Sequence, residues 1–217
     1  MKRHFRELIE ERPTPLPIHE LADVQASTIA KVEVGAVATR SVPPNTTVVG
    51  NPGEIMGYAD SAPGPLATAE SPAADTGAYP TQVRGVSLHR MQRVSDSRGS
   101  LTVGEFERSI PFPVKRYFVV FDVPDSETRG QHAHRELHEF LICVRGSCAV
   151  VSDDGRCRQE FLLDQPDIGI HLPPLVWRIH YKYSPDAVLV VFASHYYDSE
   201  DYIRNYAEFC ELVGASP

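Results

Sequence analysis

Between residues 101 and 194 the chain is a succession of short, apolar, β-rich runs, and no segment between them carries a helical repeat long enough for a crossover. The runs are LTVGEFE (101–107), KRYFVVFDV (115–123), EFLICVRG (139–146), CAVVSDD (148–154), RQEFLLD (158–164), IGIHLP (168–173) and AVLVVFAS (187–194). Parallel neighbours need long, usually helical connections, so this spacing predicts antiparallel pairing in an all-β sandwich or barrel. Asp154-Gly155 predicts a hairpin turn, because glycine tolerates the positive φ that such turns demand. Gly146-Ser147 predicts a second tight turn. Beyond the last run, Asp198 or Ser199 is placed to cap a helix whose one face carries Tyr202, Tyr206, Phe209 and Val213. That aromatic stripe is read as a packing surface against the barrel.

Composition divides the rest. Residues 59–80, ADSAPGPLATAESPAADTGAYP, are nearly all Ala, Pro, Ser, Gly and Thr. Such a stretch has too little apolar area to offset chain entropy, so 58–82 is expected to be a disordered linker between a zone over 1–57 and an all-β domain over 83–217. Hydrophobic residues make up 42% of the chain, enough for a core in that domain. A net charge of −8 offers no general basic face for nucleic acid or an anionic membrane. No apolar run reaches the ~18 residues of a membrane span, and MKRHFRELIEERP lacks the apolar stretch of a secretory signal. Cys143, Cys148, Cys157 and Cys210 show no CxxC pairing and read as thiols of a reducing compartment, by default the cytoplasm.

The segment 130-GQHAHRELHEFLICVRG-146 carries the chemistry. His132 and His134 are two apart, so on a strand both imidazoles point to one face. Such a pair alone is weak evidence. With Glu139 and Gly146 it becomes H-x-H-x4-E-x6-G, which resembles the first motif of the cupin superfamily and implies a small jelly-roll barrel. Two histidines and a carboxylate suit a transition metal. The second cupin motif, however, has its counterpart in 173-PPLVWRIH-180, where Arg178 stands at the final histidine position. A guanidinium has no lone pair to donate and its charge opposes a cation. No metal or cofactor is therefore expected, and Arg178 counts instead among the substrate contacts. The histidines are then free to move protons, with Glu139 orienting a ring or acting as an acid. Arg116 and Arg129 are candidates for gripping a diphosphate bidentately. Tyr117, Phe118, Trp177 and Tyr183 offer stacking faces for a base or sugar.

The stretches 98-RGSL-101, 110-IPFPVKRYFVVFD-122, 129-RGQHAHRELHEFLICVRGSC-148, 153-DDG-155, 163-LDQPDIGIHLPPLVW-177 and 193-ASHYYDSEDYIRNYAEF-209 are similar to the WxcM-like nucleotide-sugar 3,4-ketoisomerases. The resemblance covers nearly all of 95–212. It implies a metal-independent cupin that shifts the ketone of dTDP-4-keto-6-deoxyglucose from C4 to C3, for 3-amino-3,6-dideoxy sugars of bacterial polysaccharides. It implies His132 as base and shuttle, His134 as the group acting on the sugar oxygens, Arg116 and Arg129 on the diphosphate, and a homodimer with exchanged strands. Two departures bear on product stereochemistry or rate. Many members carry Tyr where this chain has Phe118, its own tyrosine being Tyr117 on the opposite strand face, and His where it has Arg178.

Upstream, 34-VGAVATRSVPPNTTVVGNPGEI-55 resembles the last coil of a hexapeptide-repeat, left-handed β-helix acyltransferase. Stacked repeats need about three coils for stability, so 1–57 is read as a remnant without acyltransferase activity. Three other readings stay open for the barrel: a metal-dependent cupin oxygenase, a dTDP-sugar 3,5-epimerase, for which no His–Asp dyad pattern is evident, and a cupin that binds nucleotide sugar without turnover.

Overall fold

Alternating apolar residues in the runs place one side of each strand in a shared interior, and two six-stranded sheets result. The computed structural model describes residues 31–32, 34–37, 46–50, 54–58, 67–68, 72 and 75–215, without 125–126. They belong to two compact units, 1–61 and 62–217. In the first, β1 (Lys31–Val32) pairs parallel with β2 (Thr46–Val49), which pairs antiparallel with β3 (Glu54–Tyr58). The rest of the expected β-helix remnant lies outside the described residues.

The second unit opens with β4 (Ala67–Thr68), β5 (Gly77–Pro80) and β6 (Ser87–Arg90), then a hairpin of β7 (Gln92–Asp96) and β8 (Gly99–Val103). There follow β9 (Arg116–Phe121), β10 (Arg129–His134), β11 (Glu139–Arg145), β12 (Cys148–Asp153), β13 (Arg158–Leu163), β14 (Ile168–Leu172), β15 (Trp177–Tyr181), β16 (Val188–Ala193) and β17 (Tyr202–Ile203). One sheet runs β17-β10-β15-β12-β13-β4 and the other β5-β6-β14-β11-β16-β9. Between them lie Leu141, Ile170, Leu172, Leu189 and Val191 from the second sheet and Val150, Phe161 and Leu163 from the first. Each such side chain contributes about 1.5–3 kcal/mol by leaving water. The outer face of the second sheet is covered separately, with Phe140 and Ile142 packed against Met91, Ile110 and Phe112.

Gly146-Ser147 does turn the chain, but it carries it from one sheet to the other rather than closing a hairpin, since β11 and β12 are not neighbours. Gly146 has φ +65°, and a Cβ there would lie 2.9 Å from the Ala187 Cα, so both conformation and space require glycine. Asp154-Gly155 closes β12 onto β13, with Asp154 Oδ1 accepting the N–H groups of Arg156 and Cys157.

Two segments differ from the expectation. Gly77–Pro80, inside the stretch read as linker, pairs with β6. Tyr79 packs against the core, an anchor that the average composition of 59–80 conceals. The helix, α1 (Tyr206–Val213), is shorter than the aromatic spacing implies. Its cap is Asn205, whose side chain accepts from the Ala207 and Glu208 N–H groups, and not Asp198 or Ser199. Tyr202 is drawn instead into β17, which extends the sheet by pairing with Ala133 and His134. Extended backbone there excludes a helix start.

The helix covers the outer face of the first sheet. Phe209 is fully buried, with Trp177 at 5.7 Å and Tyr206 at 5.6 Å between ring centroids. Tyr206 donates to Asp153 Oδ2 at 2.7 Å. Phe209→Ala should destabilise the domain by about 3–5 kcal/mol, as deletion of a buried aromatic ring does. Urea unfolding measures this; a loss under about 1 kcal/mol would mean that α1 does not hold that face.

Candidate functional site

The sequence Arg129-Gly130-Gln131-His132-Ala133-His134 does not run as a regular strand. Arg129 pairs with His180 and His132 with Arg178, with a register shift between Gly130 and His132. Gln131 takes up the extra residue at φ +54°, and such a bulge re-aims the side chains that follow it. Gly130, at φ +85°, lets the backbones close, because a Cβ there would lie 3.0 Å from the Arg178 carbonyl oxygen. Beyond the bulge His132 and His134 share one face, their rings edge-on at 4.8 Å.

Each ring is oriented by its Nδ1. That of His132 lies 2.8 Å from the Gly130 carbonyl, and that of His134 lies 2.7 Å from Asp201 Oδ2. Both partners are pure acceptors, so each Nδ1 carries a hydrogen, and a neutral ring then has its lone pair on Nε2. Tyr202 packs its ring 4.9 Å from His132 and 4.3 Å from His134. Burial first, and then the Arg178 charge, push His132 down to about 3. It is thus a neutral imidazole at physiological pH, with its acceptor nitrogen unoccupied.

Below the histidines is a buried ion pair. Glu139 is 3% exposed and Arg178 fully buried, with Nη1 of Arg178 3.1 Å from Glu139 Oε2. Burial alone would raise the Glu139 carboxyl, but Arg178, then His134 and His132, hold it well below the usual carboxylate range. Burial lowers the Arg178 guanidinium, and Glu139 works against that. His180, two residues on and on the same strand face, is pushed down to about 4, again chiefly by burial. Among the described residues, Nε of Arg178, Nη2 of Arg178 and Nε2 of His180 have no hydrogen-bond partner. Buried polar atoms in that state are costly unless something binds them.

His132, His134 and Glu139 offer ligand atoms within 4.8 Å of one another, as a metal would require. The donor set does not fit one. Glu139 is already paired with a fixed guanidinium that has no lone pair to offer and whose charge repels a cation. Arg178 takes the place of the metal's positive charge.

Of the other residues singled out in the sequence, Arg116 reaches the same interior. It pairs with Ala193, and Ala193 with Glu139, so all three lie on one face of their sheet. Its guanidinium sits 5.7 Å from the Phe118 ring and 5.4 Å from that of Tyr197, with Nε and Nη2 unpartnered among the described residues. Arg129 is exposed at the end of β10, close enough to His180 to affect its charge. Tyr117 and Trp177 are not brought to the site. Strand alternation turns Tyr117 to the outer face, 68% exposed, opposite Phe192. It turns Trp177 away from its neighbour Arg178 and under α1. Tyr183 is a core residue. Asp201 and Tyr202 were invisible as site residues, because their segment reads as a first helical turn. The His134–Asp201 dyad, absent from the sequence pattern, joins residues far apart in the chain.

Residues 84–214 match the protein family described as FdtA: WxcM-like, C-terminal. Over 122 residues the chain is 46% identical to TDP-4-oxo-6-deoxy-alpha-D-glucose-3,4-oxoisomerase of Aneurinibacillus thermoaerophilus, covering 56% of this chain and 88% of that protein. A solved 3,4-ketoisomerase from Helicobacter canadensis superposes with a TM-score of 0.58 at 37% identity, over 60% of this chain and 98% of its own. A variant of the 3,4-ketoisomerase QdtA from Thermoanaerobacterium thermosaccharolyticum, in complex with TDP-4-keto-6-deoxyglucose, gives 0.59 at 35% identity, over 61% and 96% of the two chains.

The buried histidines make stability depend on pH. His132 lies at about 3 and His171 and His180 at about 4, each depressed mainly by burial. Above about 6.5, the ordinary histidine value, they are neutral in both folded and unfolded chains. As pH falls below it, the unfolded chain takes up protons that the folded one refuses, so stability is lost downward from there. Each histidine contributes up to about 1.4 kcal/mol per pH unit until its folded value is reached. Glu139, depressed from its ordinary value of 4.5, adds a loss of the same sign only below about pH 5. The urea midpoint should therefore be lower at pH 5 than at pH 7.5; an equal or higher midpoint at pH 5 contradicts buried, neutral histidines.

Proposed function

Because the chain belongs to the WxcM-like, C-terminal (FdtA) family, we propose that it is a nucleotide-sugar 3,4-ketoisomerase, moving the ketone of dTDP-4-keto-6-deoxyglucose from C4 to C3. The observation that carries this reading is His132: a neutral imidazole with a free Nε2, beside a buried arginine with donors to spare. The C4 carbonyl acidifies the C3 proton, and a positioned imidazole is suited to removing it. Negative charge then develops on the sugar oxygens, where the Arg178 N–H groups stabilise it without reorganising. Returning the proton to C4 completes the shift through an enediol. Arg116 and Arg129 are assigned to the diphosphate, which a guanidinium grips bidentately. The 3-keto product suits transamination toward a 3-amino sugar.

The reaction is assigned to the cytoplasm, in keeping with four free cysteines. No helix among the described residues is long and apolar enough to cross a membrane. A homodimer is also proposed. β9 is a sheet edge, and Tyr117, Phe118, Val119 and Phe121 on it are exposed, as are Val94, Leu101 and Val103 of the β7–β8 hairpin. An edge of this kind is a template for pairing with another chain. Sedimentation should give a dimer that Phe121→Asp weakens; a monomer at micromolar concentration would remove this proposal.

The isomerase reading is tested by proton NMR of dTDP-4-keto-6-deoxyglucose with the protein in D2O. A new 3-keto species is expected, with deuterium entering at C3 or C4 and not at C5. His132→Asn should abolish both while leaving TDP binding nearly intact. An unchanged spectrum with the native protein, or normal turnover in the variant, overturns the assignment.

A further inference from the structure

Asp201 is tied at three points to His134 and the two residues that follow its strand. Oδ2 lies 2.7 Å from His134 Nδ1, Oδ1 accepts the Glu136 N–H at 2.8 Å, and its backbone carbonyl accepts the Arg135 N–H at 2.9 Å. The carboxylate is therefore fixed relative to the ring it contacts. His134 is fully buried, and its Nε2 has no hydrogen-bond partner among the described residues, Glu139 Oε1 being 3.6 Å away. A carboxylate can only accept, so Asp201 fixes a hydrogen on Nδ1, and in the neutral ring the lone pair then lies on Nε2.

Moving a ketone between adjacent carbons needs two proton transfers. One takes hydrogen from C3 to C4. The other takes the hydroxyl proton from O3 to O4. We propose that Asp201 is a positioning residue that keeps Nε2 of His134 unprotonated, so that His134 carries the O3 proton to O4. The inference rests on the ketoisomerase reading and deepens it.

The steps balance. His132 takes the C3 proton; the C3–H pair becomes the C3–C4 double bond, and the carbonyl pair moves to O4. Nε2 of His134 takes the proton from O3 and gives it to O4. The O3 pair then forms the C3 carbonyl, and the double-bond pair takes the proton from His132 at C4. C3 is oxidised and C4 reduced, so no external redox partner is consumed. While His134 holds both protons, Asp201 balances its charge.

Asp201→Asn separates this role from a structural one. The amide carbonyl is claimed by the Glu136 N–H, which leaves the NH2 facing His134. That group donates, so the ring proton must shift to Nε2, and the lone pair is lost. Product formation should fall by about 10²- to 10⁴-fold in kcat with KM little changed, while deuterium uptake at C3, the work of His132, continues. Asp201→Glu, which restores an acceptor, should recover part of kcat. Nitrogen-15 NMR of the native protein should show His134 protonated at Nδ1, and of Asp201→Asn at Nε2. Native turnover in Asp201→Asn, or a native His134 protonated at Nε2 and bare at Nδ1, overturns the inference. If the variant does not fold, Asp201→Glu and the native nitrogen-15 spectrum still decide. Failure of the native protein to form any 3-keto species is a separate result that removes the ketoisomerase reading itself.

Discussion

The site is organised by one buried ion pair, Glu139 with Arg178. Taking two charges out of water costs several kcal/mol each, and their attraction recovers this only with good geometry and further hydrogen bonds. Here the carboxylate is close to the guanidinium and to His134, but the guanidinium keeps unpartnered N–H groups. The pair is thus incompletely compensated. The surrounding barrel supplies the missing stability through its apolar layers, and the shortfall at the site is what a bound anion or oxygen can relieve.

The same pair acts on His132 along with burial. His132 is kept neutral by burial and by the Arg178 charge, against the opposing influence of Glu139. Burial is the largest influence, the Arg178 charge adds to it, and Glu139 opposes both. A positive charge is thus present at Arg178 while the His132 ring stays neutral.

Much of this was legible in the chain. The runs, their antiparallel pairing and the inward pair His132 and His134 follow from period-2 patterning, and Glu139 and Arg178 from the resemblance to the two cupin motifs. What was not legible has physical causes. The bulge at Gln131 shifts the register of β10 without a glycine or proline at the bulged position itself. Asp201 and Tyr202 reach the histidines only because β17 closes the sheet edge, a long-range pairing that competes with a plausible helical stripe. Tyr79 shows how one aromatic ring can order a segment whose average composition suggests none. Trp177 is a stacking candidate by residue type alone, but strand alternation turns it outward beneath α1.

The outward seat of Trp177 bears on the fidelity of folding. On β15, Arg178 and His180 face inward while Trp177 faces α1. A slip of one residue would bring an indole to the ion pair and leave a guanidinium beneath the helix. The large ring seated against Tyr206 and Phe209 disfavours that slipped arrangement. The tryptophan acts as a gauge outside the barrel, and the paired charges inside inherit their positions from it.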